Sequence, residues 1–251
     1  MLRGACVDLY STVVHEAKDN PFYRNVAAEL SLDLTRWLPA YRDLLDESIS
    51  GRLPGMTERV LKSARHAGCT VSAAVARGAV ERHFPEFLAS VRLDPQAGEF
   101  LASLRKLGLR LALVSNASSY SEAVLDSLDL RRRFDVVVLS YMVGMTKPDP
   151  AIYRHALRLL DLPGRECTFI GDGEHDELRG AREAGITTML VDRGLRHSQG
   201  ARGHADVVVD DLLQAAQAAE RLRQAGQPAG QAGRIAPGSL PERKETKGRE
   251  A

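Results

Sequence analysis

The sequence predicts an α/β protein, a doubly wound parallel sheet interrupted after its first strand by an all-helical insert. Three observations carry this. Strand-like runs alternate with helix-like stretches from about residue 93 to 223, the signature of βα units. Only helical spacing occurs between residues 15 and 92. A short apolar strand, Leu2–Asp8, stands alone ahead of that insert. The 251 residues have room for one large domain or two small ones. The reading divides them into a core at 1–14 and 93–223, a helical insert at 15–92 and a tail at 224–251.

In chain order, the insert carries helical spacing at Pro21–Leu30, Leu34–Ile49, Thr57–His66 and Val71–His83. Trp37, Tyr41, Leu44 and Leu45 share one face, and Arg52-Leu-Pro-Gly55 breaks the insert in the middle. Pro95–Leu107 reads as a helix capped by Asp94 and stopped by Gly108. Leu109–Ser115 and Phe134–Ser140 read as buried strands, the second an almost continuous β-branched run. Cys167–Gly171, Thr187–Val191 and Ala205–Val209 are shorter strands. Helices over Ser121–Asp129, Pro150–Leu160, Glu174–Ala184 and Asp211–Arg223 separate them. The tail is rich in Gly, Pro, Gln and charge, with Ile235 and Leu240 its only sizeable apolar residues. It cannot bury enough surface to offset its ordering entropy and is expected to be disordered.

Composition narrows the function classes. The formal net charge is +1, which argues against a nucleic-acid-binding field. No apolar run reaches the ~18 residues of a membrane span, and residues 1–14 lack the apolar core of a signal peptide. Cys6, Cys69 and Cys167 show neither pairing nor metal spacing, so a cytoplasmic, reducing location is expected. Of 34 basic residues only six are lysine, and two of those (Lys244 and Lys247) lie in the tail.

Open parallel sheets bind ligands beyond the carboxyl ends of their strands. Those ends collect Asp8 and Thr12 after the first strand, Ser115 and Asn116 after the second, Lys147 beyond the third, and Asp172 and Asp176 after the fourth. Asp8 ends an apolar strand, where a carboxylate is costly unless paired. Ser115 and Asn116 offer polar groups at a strand-to-helix junction, suited to an anion. Lys147 precedes the helix begun by Asp149 and Pro150 and is needed for neither capping role. Asp172 and Asp176 are carboxylates of the kind that ligate Mg²⁺.

Together these residues resemble the haloacid dehalogenase-like (HAD) hydrolase superfamily, over about residues 2–212. Its four motifs occur in order: Asp8-Leu9-Tyr10-Ser11-Thr12, Ser115, Lys147, and Gly171 to Asp176. The resemblance implies a Rossmann-like core with an all-helical cap domain, hinged near Val13–Lys18 and Val91–Pro95. It implies that Asp8 is the nucleophile and forms an aspartyl-enzyme intermediate. Ser115, with Asn116 and Thr12, would bind the substrate, and Lys147 would neutralise the charge gathered there. Mg²⁺ would be held by Asp8, Asp172, the Tyr10 carbonyl and, from further out, Asp176. The substrate implied is a small anionic molecule.

Position 10 departs from the phosphatase pattern. Family phosphatases carry a second Asp there as general acid and base, whereas the family's 2-haloacid dehalogenases carry Tyr, because a halide leaves without a proton. The Gly171-Asp172-Gly173 segment points the other way, to Mg²⁺-dependent phosphatases. The leading expectation is a Mg²⁺-dependent phosphatase acting on a small phosphorylated metabolite. A metal-independent 2-haloacid dehalogenase and a catalytically weak regulatory protein are the alternatives. His15 or Glu16 is a candidate source of the missing proton.

Overall fold

The computed structural model describes residues 1–195 and 198–225. Six parallel strands form the central sheet: β1 (Gly4–Val7), β4 (Arg110–Ser115), β5 (Val136–Leu139), β6 (Cys167–Gly171), β7 (Thr187–Val191) and β8 (Val207–Val209). Their order is β5-β4-β1-β6-β7-β8, so the first strand lies at the centre and the chain winds outward in both directions. In-register pairs such as Val7 with Leu113 and Val7 with Ile170 bring the carboxyl ends of β1, β4 and β6 level. Near-continuous apolar strands follow from this, since both faces are covered. Leu111, Leu113 and Val7 fall in one core cluster, while Cys6, Ala112, Val114 and Phe169 fall in the other.

The helices that cover the sheet are α6 (Ala97–Lys106), α7 (Ser121–Ser127), α9 (Pro150–Leu160), α10 (Glu177–Glu183) and α12 (Leu212–Ala225), with short helices α8 (Ser140–Val143) and α11 (Ser198–Ala201). Between β1 and β4 the chain builds the helical lobe: α1 (Pro21–Glu29), α2 (Leu34–Arg42), α3 (Leu45–Ile49), α4 (Met56–His66) and α5 (Ala73–Ala89). Phe22, Trp37, Tyr41 and Phe87 are buried within it, and Trp37 donates through Nε1 to Ser63 Oγ at 2.8 Å. The α/β core with a helical cap is the expected fold class.

Several local readings change. The insert is flanked by two strands the pattern did not reveal, β2 (Val14–Glu16) and β3 (Val91–Leu93), paired antiparallel. Three residues are too few to display a period. The long helix expected over Leu34–Ile49 is two helices, because Asp43 and Leu44 end α2 and a new turn starts at Leu45. Helix α5 runs on to Ala89 through Pro85. Asp94 does not cap α6. It accepts from Gln96 N–H, His15 Nε2 (2.9 Å) and the Arg193 guanidinium (2.8 Å). Helix α12 extends through Gln224 and Ala225, two residues into the expected tail. The rest of that tail lies outside the described residues.

Candidate functional site

Asp8 follows β1 directly, and its backbone N–H donates to Ile170 O on the neighbouring strand. The turn after it is tight: Ser11 has φ 59°, and Thr12 turns back so that its hydroxyl donates to Asp8 Oδ2 at 3.1 Å. Lys147 reaches in from the segment before α9. Its Nζ donates to Asp8 Oδ1 and, at 2.5 Å, to Glu177 Oε2. Asn116 holds that segment with both ends of its amide, donating to Lys147 O at 2.9 Å and accepting from Lys147 N–H at 2.7 Å. Gly180, on α10, makes the approach of this segment possible, since a Cβ there would lie 2.0 Å from Pro148 O. Ser115, at the end of β4, lines the same inner pocket of about 40 Å³ as Asp8, Lys147, Asp172 and Glu177. Its buried Oγ has no hydrogen-bond partner, so it is available to an anion's oxygen.

Glu177 was not among the residues singled out from sequence, and it takes the place expected of Asp176. The reason is backbone geometry. Gly173 (φ 89°), His175 (φ 55°) and Asp176 (φ 54°) all adopt left-handed conformations, so α10 begins at Glu177 rather than at 174. This turns Glu177 inward and Asp176 outward, where its carboxylate is exposed and 3.7 Å from Arg179 Nε. Gly171 leaves the necessary space, since a Cβ there would stand 2.1 Å from Glu177 Oε1, and Gly173 N–H donates to that same oxygen at 3.0 Å. The available signal was an acidic residue on the apolar face of a helix, beside Leu178 and Ala181.

Asp8, Asp172 and Glu177 are each almost wholly buried, and one carboxylate oxygen from each lies within 4.8 Å of the others. Burial opposes the charge of Lys147, but the carboxylates of Asp8 and Glu177 outweigh it and hold its ammonium more firmly protonated than usual. Burial raises the Glu177 carboxyl well above its ordinary range; Asp8 and Asp172 push it further up, and Lys147 only partly counteracts them. Lys147 therefore does not fully balance the Glu177 carboxylate. A small hard cation matches both the deficit and the all-oxygen donor set, so the residues present fit Mg²⁺.

The other expected residues are placed differently. The Tyr10 side chain lines the inner pocket, but its hydroxyl is 2.9 Å from Ser121 Oγ. Burial, reinforced by nearby Tyr120, raises its pKa far above the ordinary phenol value, so the group is no base at neutral pH. Thr12 is fully buried and positions Asp8 instead of lining the pocket. Asn116 reaches the pocket wall with its amide committed to Lys147. His15 bonds Asp94, while Glu16 accepts from Asn20 Nδ2 (2.9 Å) and Tyr23 OH (3.2 Å); neither lines the pocket.

A larger cavity of about 460 Å³ adjoins the inner pocket and shares Asn116, Lys147 and His175 with it. Its far wall is the helical lobe, through Asp46, Ser50 and Arg52. A carboxylate faces a buried ammonium at the carboxyl end of a parallel sheet, roofed by a helical lobe, and this defines an α/β protein with a capped polar site. The haloacid dehalogenase-like hydrolase family model matches residues 2–185, and the chain belongs to that family. It is 38% identical over 121 residues to a phosphoserine phosphatase of Thermus thermophilus, covering 48% of each chain. It is 35% identical over 165 residues to a plasmid-borne phosphoglycolate phosphatase of Cupriavidus necator, covering 64% of this chain and 70% of that one. The match spans about half or less of the length of the first of these curated relatives. Among solved structures, a 2-haloacid dehalogenase from Pseudomonas syringae superposes with TM-score 0.66 at 23% identity, covering 88% of this chain and all of that one. At that identity the likeness shows the fold alone. Among the described residues no helix is long and apolar enough to cross a membrane.

Proposed function

We propose that this chain is a Mg²⁺-dependent phosphatase that hydrolyses a small phosphorylated metabolite through an aspartyl-enzyme intermediate at Asp8. The observation that carries the reading is the buried cluster of three carboxylates, Asp8, Asp172 and Glu177, whose oxygens lie within 4.8 Å of one another. A halide-displacing site has no use for such a set of oxygen donors. The relatives named for phosphoserine and phosphoglycolate support phosphoryl chemistry on small esters.

Asp8, Asp172 and Glu177, with the main-chain carbonyl of Tyr10, would hold the ion. When bound, it supplies charge neutralisation between the nucleophile and the phosphoryl oxygens. The chain's own residues do the rest. Thr12 and Lys147 fix the two oxygens of Asp8, and one attacks phosphorus as the bond to the leaving oxygen breaks. Lys147 offsets the charge that accumulates, and Ser115 Oγ donates to a phosphoryl oxygen. Water then hydrolyses the aspartyl phosphate. Position 10, being Tyr, offers no carboxyl to protonate the leaving oxygen, and its hydroxyl is engaged with Ser121.

Tyr10 is also the residue that favours a second reading, hydrolysis of a carbon–halogen bond by the same Asp8. One assay separates the two. The purified protein is incubated with a panel of phosphomonoesters and 2-haloacids, with Mg²⁺ or with EDTA, and phosphate and halide are measured together. The phosphatase reading expects phosphate release that EDTA abolishes. Halide release that survives EDTA would overturn it.

A further inference from the structure

We infer that Arg193 positions the nucleophile: from the loop after β7 its guanidinium grips the turn that follows Asp8 and ties that turn, through Asp94, to the base of the helical lobe. The inference rests on Asp8 being the nucleophile, which the phosphatase and dehalogenase readings share.

Asp8 owes its direction to that turn. Its Oδ2 accepts from the hydroxyl of Thr12, so the place of Thr12 sets the aim of the carboxylate. The turn between them is strained. Ser11 is left-handed at φ 59°, a conformation that a residue with a Cβ keeps only when its surroundings impose it. The turn's N–H groups are answered from within. Ser11 N–H donates to Val14 O at 2.8 Å, and the N–H groups of Val13 and Val14 donate to Leu9 O at 3.0 and 2.9 Å. Two of its carbonyls are answered by Arg193, which donates through Nη1 to Ser11 O at 2.6 Å and through Nη2 to Thr12 O at 3.2 Å. Two bonds from one planar fork fix orientation as well as distance.

The same Nη2 donates to Asp94 Oδ2 at 2.8 Å. The Asp94 side chain is 10% exposed and that of Arg193 22%, so water screens the pair only in part. Asp94 stands where both connections to the lobe meet. It follows β3, its N–H donates to Val13 O at 2.9 Å, and its Oδ2 also accepts from His15 Nε2 on β2 at 2.9 Å. Arg193 itself has a firm mount. Asp192 N–H donates to Val209 O at 2.8 Å, and the Asp192 carboxylate accepts from Gly194 N–H (2.9 Å) and Arg202 Nε (2.7 Å). The guanidinium thus joins the carboxyl end of the sheet, the nucleophile's turn and the base of the lobe, yet it does not line the inner pocket. Its effect on the reaction passes through Thr12 to Asp8, which makes it a positioning residue.

The test is steady-state kinetics on the full chain with Mg²⁺, with p-nitrophenyl phosphate added to the panel above because its leaving group departs without a proton. Arg193→Gln should lower kcat/KM by about tenfold to a hundredfold, the scale of a misplaced reacting group. The inhibition constant of inorganic phosphate, which reads binding without attack, should stay within about threefold. Arg193→Lys keeps the charge but not the fork and should recover part of the loss. Thr12→Val should also slow attack. Adding it to Arg193→Gln should cost at most about threefold beyond the worse single change, since both act on Asp8 by one route. Single losses that multiply in the double variant would overturn the inference, as would a loss of phosphate affinity that accounts for the whole fall in kcat/KM. Amide hydrogen exchange reads the turn without turnover. Arg193→Gln should speed exchange at Val13 and Val14 by about tenfold relative to Leu113 in the sheet interior. Equal changes at all three would overturn the inference, because Arg193 would then only stabilise the fold. If Arg193→Gln does not unfold cooperatively, Arg193→Lys carries the same comparisons in smaller measure. A panel that releases halide in place of phosphate, or neither, refutes the phosphatase reading instead, and the exchange rates still decide the role of Arg193.

Discussion

Replacing Lys147 with methionine removes one charge and little volume, so it isolates what the ammonium does. Lys147 is 5% exposed, and its two carboxylate partners, Asp8 and Glu177, are 4% and 1% exposed. The variant leaves both facing each other without the ammonium between them. Removing one partner of a buried ion pair costs about 3–5 kcal/mol, because the remaining charge is desolvated and uncompensated. For a chain of this size that corresponds to a fall in Tm of roughly 6–20 °C, at ~2–4 °C per kcal/mol. The measurement is thermal unfolding in EDTA, followed by circular dichroism. Adding Glu177→Gln to Lys147→Met removes one of the stranded carboxylates and should recover part of the loss, a coupling that a double-mutant cycle reads directly. Adding Mg²⁺ at 100 times its Kd should return about 2.7 kcal/mol. A Lys147→Met protein that melts within 2 °C of the wild type in EDTA would refute the reasoning, since the carboxylates would then not depend on the lysine.

Other changes test separate parts of the site. Tyr10→Phe deletes the bond to buried Ser121 and should cost about 1–2 kcal/mol in chemical denaturation, with phosphate release within threefold of the wild type; a hundredfold loss would make the hydroxyl a proton donor. Lys147→Arg keeps the charge, but its guanidinium is larger than an ammonium and its fork does not match a point between Asp8 Oδ1 and Glu177 Oε2. Turnover should fall by about a hundredfold or more, the scale of a lost charge-stabilising donor, and near-normal turnover would show that any cation suffices. Asp135, away from the site, tests pH dependence. Partial burial opposes its charge, but Leu111 N–H and Arg105 outweigh this and hold its carboxyl below the ordinary value. Its contribution is therefore present above the unfolded pKa of ~3.9 and lost as pH falls through the lower folded value. The stability gap between wild type and Asp135→Asn should hold from pH 7 to about 5 and close below about 4.

The core was readable because a parallel sheet buried on both faces writes long apolar strands between helices with clear stops at Gly108 and Gly185. The sheet-edge rule then assembled Asp8, Ser115, Lys147 and Asp172 before any contact was known, and the structure brings all four to one pocket. The pieces that escaped are those set by backbone dihedrals and tertiary contacts. Counting four residues on from Asp172 selects Asp176 if the helix is already under way, but two successive left-handed residues delay it and deliver Glu177. Strands β2 and β3 are too short to show a period, and pairing across 70-odd intervening residues is invisible to any local pattern.

The near-neutral total of +1 conceals a local gathering of carboxylates. In the inner pocket those of Asp8, Asp172 and Glu177 lie within 4.8 Å of one another, with the ammonium of Lys147 between Asp8 and Glu177. Buried charge is tolerated only when it is paired. Burial, with Asp8 and Asp172 close by, holds the Glu177 carboxyl above its ordinary range, so the pairing that Lys147 gives Glu177 is incomplete. The oxygen donors stand on a scale that suits a small dication. Nucleophile and metal requirement then have one physical origin: a chain that gathers carboxylates at the carboxyl ends of its central strands and leaves part of their counter-charge to a ligand.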